Sequence, residues 1–211
     1  MKTLHRPDLY AWSSFDTERN VDFNSVFWAR PGGNVAVDPM PLTAHDRAHI
    51  AALGGLAWIV ITNADHVRDS VALAEATGAQ ICAPRAETAI TSRVDRWLDD
   101  RDEVVAGLEV VAMPGSKTPG EVALVLDKTT LITGDVIRAH QADRLHLLPA
   151  GRLTDADAVR AAIRGIVDLF PIETVLVGDG WPMFRGAAER LRALVDAVPT
   201  GAAAPPKATA C

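Results

Sequence analysis

The sequence predicts an α/β fold in which two sheets carry helices on their outer faces. Three observations lead there. Ala57-Trp58-Ile59-Val60-Ile61 and Thr174-Val175-Leu176-Val177 are continuous apolar runs, the pattern of strands buried on both faces. Residues 57–83 read as strand, helix and strand, the helix ending at Gly78, which is a β-α-β unit. The remaining strand-like segments fall into two halves of the chain, each flanked by helical ones.

Taken in order, Leu9–Trp12 and Ser25–Ala29 read as strands. Pro31-Gly32-Gly33-Asn34 forms a hairpin turn into the strand Val35–Val37, which Asp38-Pro39 ends. Thr43 is an N-cap for a helix over 44–53, stopped by Gly54-Gly55. A helix over 67–77 follows the strand 57–61, then the strand 79–83, a charged helical stretch over 87–98 and an acidic loop over 99–103. Strands at 108–112, 121–126 and 130–133 follow, with Asp127-Lys128 turning between the last two. The segment 138–152 is a loop, 155–169 an amphipathic helix, 174–177 a strand and 184–198 the last helix. Residues 1–198 are expected to form one domain, and the Ala- and Pro-rich residues 199–211 a disordered tail.

The 211 residues are 48% hydrophobic, enough for one sizeable core. A net charge of −6 speaks against a nucleic-acid or membrane-surface partner, both of which select basic patches. Cys82 and Cys211 are too few for a thiolate zinc site. No apolar run approaches a membrane span, and the charged first ten residues do not read as a signal peptide, so a cytoplasmic protein is expected. The Trp-containing early strands leave a homodimer open.

Chemistry gathers where buried strands end. Strand 57–61 leads into Thr62-Asn63-Ala64-Asp65-His66, strand 130–133 into Gly134-Asp135, and strand 174–177 into Gly178-Asp179-Gly180. Strand ends are where α/β folds assemble their sites. Taken singly, each aspartate also reads as a turn or helix cap. Brought together, Asp65, Asp135 and Asp179 repel unless neutralised. A cation is the economical answer, and with the His66 imidazole the donor set suits zinc, manganese or iron better than a soft metal.

The order of these motifs resembles the metallo-β-lactamase superfamily over most of residues 24–182. Its His-x-His-x-Asp-His motif falls on Ile61-Thr62-Asn63-Ala64-Asp65-His66, which keeps only Asp65-His66. Its Pro-Gly-His loop falls on Pro114-Gly115-Ser116-Lys117-Thr118-Pro119-Gly120-Glu121, with Ser116 in the histidine place. Thr133-Gly134-Asp135 matches the Gly-Asp that bridges two metals, and Gly178-Asp179-Gly180 stands where the family has Gly-His-Gly. Asp38 matches an early aspartate that braces the site. The resemblance implies an αββα sandwich. It also implies that one metal position has lost its histidines, at Ile61, Asn63 and Ser116. The other retains Asp65, His66, Asp135 and Asp179, so at most one ion is expected.

The implied activity is metal-dependent hydrolysis of a small ester, lactone, thioester or phosphoester. Asp65 or Asp135 would act as base or water-orienting group, and Lys117 would meet an anionic substrate group or pair with a vacant carboxylate. The alternative is a metal-free small-molecule binder of the same fold, its aspartates satisfied by Lys117, Arg68 and backbone amides. Iron-based redox chemistry and β-lactam hydrolysis have less support. Asn63, Arg68, Ser116, His140 and Trp181 are further candidates for the site's surroundings. One of His140 and His146 could reach the cleft, Trp181 and Met183 read equally as pocket lining or core, and His45 and His49 read as a solvated helix face. Trp12 and Trp28 read as core.

Overall fold

A computed structural model describes residues 1–197. The disordered tail expected at 199–211, and Cys211 with it, lies outside the described residues.

The first sheet has seven strands: β1 (Lys2–Thr3), β2 (Leu9–Asp16), β3 (Val21–Trp28), β4 (Val35–Val37), β5 (Trp58–Val60), β6 (Gln80–Pro84) and β7 (Arg96–Leu98), in that spatial order. β1 to β4 pair antiparallel; β4 to β7 pair parallel. The second sheet is formed by β8 (Glu103–Val105), β9 (Leu108–Ala112), β10 (Val122–Leu126), β11 (Thr130–Thr133) and, beyond a hairpin of β12 (Ile137–Gln141) and β13 (Arg144–Leu147), by β14 (Thr174–Val177). Its order is β14-β11-β10-β9-β8, with only β11 and β14 parallel.

Side-chain alternation sorts the apolar residues into three layers. Val60, Val122, Leu124, Leu126, Ile132 and Leu176 lie between the sheets. Ile59 and Ile61 point the other way, toward Ile50 of α1 (Ala44–Ala52) and Leu73 of α2 (Ser70–Thr77). Ala123, Val125 and Val175 pack with Val159, Ile163 and Ile166 of α3 (Ala156–Leu169) and Leu191 of α4 (Ala187–Asp196). The result is the αββα sandwich that the motif order implied. Trp12 and Trp28 are core residues. The helix caps are local: Thr43 Oγ1 accepts from Asp46 N, and Asp155 caps α3 through the amides of Asp157 and Ala158.

Two readings need correction. The stretch 87–98 is not helical: it turns and then runs as β7 along the parallel edge of β6, with Cys82 opposite Arg96. Ile81 N donates to the Asp95 carboxylate, and Arg96 reaches the carbonyls of Glu103 and Val104. The β6 pairing and the Asp95 bond each span 14 residues, and with the Arg96 contacts they outweigh the weak helical propensity of a stretch that contains Thr88, Thr91 and Ser92. The segment 138–152 is not one loop. Its first half is the β12–β13 hairpin, with Ile137 opposite Leu147 and Arg138 opposite His146. None of the described helices is long and apolar enough to cross a membrane.

Leu124 is wholly buried between the sheets. Leu124→Ala is expected to destabilise the protein by about 2–5 kcal/mol, as lost burial and a residual cavity combine. Urea unfolding followed by tryptophan fluorescence checks this; a loss below about 1 kcal/mol would mean that the sheets close over the gap.

Candidate functional site

Four strand ends meet along one edge of the sandwich. β4 delivers Asp38, β5 the segment Thr62–His66, β11 Gly134-Asp135 and β14 Gly178-Asp179. Their approach requires two glycines. A Cβ on Gly134 would lie 2.8 Å from Asn63 Nδ2, Glu121 Oε1 and Thr62 Oγ1; one on Gly178 would lie 2.9 Å from Gly134 O and 3.1 Å from His66 Cε1. The need here is close approach, since neither residue has a positive φ.

Asp38 is the brace. Buried, with φ +48°, it accepts from Thr62 N at 2.8 Å and Thr62 Oγ1 at 2.6 Å. Its Oδ2 lies 2.8 Å from His66 Nδ1. A carboxylate only accepts, so Nδ1 carries a proton and His66 Nε2 faces the cleft. Burial would lower the pKa of His66, but the Asp38 charge and the hydrogen bonds to Asp135 and Asp38 outweigh it and raise it to about 9. The shift favours a proton on the ring, and an ion entering here would have to displace it from Nε2.

A second carboxylate holds the opposite side. Glu121 Oε1 accepts from the amides of Asp135 at 2.6 Å and Val136 at 2.8 Å, while Oε2 accepts from Ser116 Oγ. Burial pushes Glu121 up to about 7, against the Ser116 hydrogen bond. Glu121 thus fixes the turn that aims Asp135.

His66, Asp135 and Asp179 each place one donor atom within 4.8 Å of the others, and all three are buried. Cations of the chain itself stand among them. Lys117 Nζ bridges Asp65 Oδ2 and Asp135 Oδ2. Arg138 reaches Asp135 Oδ1 at 3.0 Å through Nη2 and Asp179 Oδ2 at 3.2 Å through Nε. Arg68 Nη2 lies 3.2 Å from His66 Nε2. Burial raises the pKa of Asp179 despite Arg138. Asp135 moves the other way: burial would raise it, but His66 and Lys117 together hold it far below the carboxylate range. For Lys117, burial would lower the pKa, but Asp135 and Asp65 outweigh it, so it stays an ammonium.

The donor set fits one divalent ion at the second family position. Nitrogen and oxygen donors converge there, and Asp179 Oδ1 is buried without a hydrogen-bond partner among the described residues. The other position does not fit an ion: Ile61 is apolar, Asn63 Oδ1 caps the Asp65 amide, and Ser116 is spent on Glu121.

The other predicted residues divide as follows. Asp65, Arg68, Lys117 and His140 line a cleft of about 620 Å³ together with the His66–Asp135–Asp179 group. Asp65, expected as a ligand, is 61% exposed in its side chain, pairs with Lys117 and stays outside the converging donors. Asn63 and Ser116, expected either behind the site or near substrate, are wholly buried behind it. Trp181 is 60% exposed and does not line the cleft, and Met183 is buried in the core. His146 is on β13 opposite Arg138 and is not part of the cleft wall. His45 is exposed, and His49 stacks edge-on against Tyr10. The sequence reading passed over Arg138, Glu121, Arg19, Phe23 and Arg152. A signal existed for two of them: Arg138 is three residues beyond Asp135, and Glu121 closes the Thr-Pro-Gly-Glu of the second motif.

Fold and site together define an αββα protein with a charged cleft at the strand ends. A profile of the metallo-beta-lactamase superfamily matches residues 1–198. A hydroxyacylglutathione hydrolase of Acidiphilium cryptum (strain JF-5) is 30% identical over 154 residues, which are 71% of this chain and 61% of that protein. The chain thus spans less than two thirds of that relative's length. Among solved structures, the DIM-1 metallo-beta-lactamase superposes with a TM-score of 0.72 at 15% identity, over 92% of this chain and 95% of that one. The metallo-beta-lactamase of Pontibacter korlensis does so at 0.72 and 17%, over 92% and 97%. The chain belongs to the metallo-beta-lactamase superfamily.

Glu121 generates a prediction. Between its ordinary 4.5 and about 7 the folded protein holds a proton that the unfolded chain has lost, so stability falls as pH rises through that window. In Glu121→Gln the amide oxygen still accepts both backbone N–H groups and no charge forms. Its unfolding free energy should fall less than the parent's across the window, measured by urea titration in steps of pH. Parallel curves would show that Glu121 stays ionised throughout.

Proposed function

We propose that this chain is a hydrolase of a small ester, thioester, lactone or phosphoester, with a centre that holds at most one divalent ion. The observation that carries this reading is the convergence of His66, Asp135 and Asp179 at the floor of a cleft sized for a small molecule. An ion held by those three residues would supply Lewis acidity and an activated water. The chain's own residues would do the rest. Asp65, largely exposed in the same cleft, can accept a proton from the attacking water. The Lys117 ammonium can face the oxygen on which charge develops. The hydroxyacylglutathione hydrolase relative, named for a thioester substrate class, supports hydrolysis in general terms.

One observation favours a second reading, a metal-free cleft that binds a small molecule. Lys117 and Arg138 already neutralise the carboxylates that an ion would use. Unpaired buried carboxylates are costly, so such cations stabilise the ion-free protein.

Metal analysis of untagged protein prepared without chelator separates the two. The hydrolase reading expects about one equivalent of zinc, manganese or iron, lost in Asp135→Ala and kept in Asp65→Ala, whose carboxylate is outside the donor group. No metal in the parent, even after incubation with each ion, leaves the binding reading. Internal competition makes a further expectation. Arg138→Met frees oxygens on Asp135 and Asp179, so zinc affinity in a chelator-competition titration should rise about tenfold or more. An unchanged affinity would mean that Arg138 swings aside at no cost.

A further inference from the structure

The cleft has more positive charge than its carboxylates need. Five cationic side chains line it, Arg19, Arg68, Lys117, Arg138 and Arg152, against the carboxylates of Asp65, Asp135 and Asp179. His66, when protonated, is matched by Asp38 behind it. Two positive charges are left over, inside a protein whose net charge is −6.

The excess has a definite location. Lys117 and Arg138 are committed to the three carboxylates. Arg68 has no carboxylate within 4 Å among the described residues. It is anchored through Nη1 to the carbonyls of Asn24 at 2.7 Å and Asp38 at 2.9 Å. Its guanidinium lies 5.7 Å from the centre of the Phe23 ring, and that of Arg19 lies at the same distance from it. One aromatic ring thus organises two guanidinium groups at the cleft wall. Arg19 has only a long contact to Asp16, at 3.8 Å. Arg152, in the 3-10 turn Ala150–Arg152, has no acidic partner among the described residues.

Three arginines without a close carboxylate partner suit a group that accepts several forked hydrogen bonds and carries two charges. A phosphate monoester does both, with a charge of about −1.5 to −2 at neutral pH. A carboxylate brings one charge and two oxygens. We propose that the cleft takes a small molecule bearing a phosphate monoester, held by Arg68 and Arg19 over Phe23 and by Arg152. This deepens the reading of the cleft as a small-molecule site, but it does not depend on a metal.

The test is calorimetric titration of chelator-treated protein with phenyl phosphate, benzoate and benzyl alcohol. Phenyl phosphate should bind at least about tenfold more tightly than benzoate, benzyl alcohol should not bind detectably, and added salt should weaken the binding. Arg19→Ala and Arg152→Ala change exposed side chains and should each weaken phenyl phosphate about tenfold. Arg68→Lys keeps the charge but loses the fork, and should weaken it similarly. Arg164→Ala, whose side chain pairs with Asp196 outside the cleft, should leave it unchanged. Phenyl phosphate binding no better than benzoate, or binding unmoved in both Arg19→Ala and Arg152→Ala, overturns the proposal. Ion-free protein is used throughout, so a hydrolase reading that fails for want of metal leaves this result standing, and the reverse holds.

Discussion

Asp135 and Asp179 are buried a few ångströms apart, and neutralising them is the constraint on which this site depends. Two unscreened carboxylates in a poorly solvated pocket cannot both stay ionised without close positive charge. The chain supplies that charge from three directions: His66 from the end of β5, Lys117 from the loop after β9, and Arg138 from β12. Each comes from a different element, so the charge cluster also ties the two sheets together at this edge. Their responses differ accordingly. Asp135 touches all three cations and is held far into its ionised range, whereas Asp179 among the described residues pairs with Arg138 alone and is raised by burial.

Behind the charges stands a layer of fixed hydrogen bonds. Asp38 is locked by two donors from Thr62 and in turn orients His66. Glu121 is locked by Ser116 and two backbone amides and in turn aims Asp135. The close contacts of Gly134 leave no room for a side chain between these two braces. These braces aim His66 and Asp135, which converge with Asp179, whereas Asp65, the fourth residue the resemblance implied, stays outside the group. At the first position the buried side chains have taken structural work, with Asn63 capping a turn and Ser116 bonded to Glu121. That explains why one position can lose its chemistry while the fold is kept.

Much of this was legible in the sequence because the periodic signals are strong. The apolar runs of β5 and β14, the Thr43 cap and the Gly-Asp turns after strands all depend on local residue order. Asp38 as a brace came from the family resemblance, since its place after β4 alone reads as a strand end. What escaped depends on contacts distant in sequence. β7 is a strand only because β6 offers a parallel edge, and residues 87–98 contain nothing that announces that edge. Asp65 reads as a ligand beside His66, yet the 3-10 turn Ala64–His66 leaves its carboxylate in solvent with Lys117. Arg138 was hidden because its segment read as a loop; in a strand its side chain has a defined direction, and that direction is back toward Asp135 and Asp179.

The two kinds of cation in the cleft have different implications. Lys117 and Arg138 balance carboxylates that a metal ion would otherwise balance, so they compete with the ion. Among the described residues Arg68 and Arg152 have no acidic partner and Arg19 has a 3.8 Å contact to Asp16, so their charge faces the cleft largely unmatched. Holding Arg68 against two backbone carbonyls and an aromatic ring keeps its guanidinium in place without neutralising it. A surface that needs no ligand has no reason to hold a guanidinium rigid and uncompensated, since free rotation would let it find water or an acid. The unneutralised arginines therefore say more about the ligand than the metal position does, because their charge is unmatched whether or not an ion occupies the floor of the cleft.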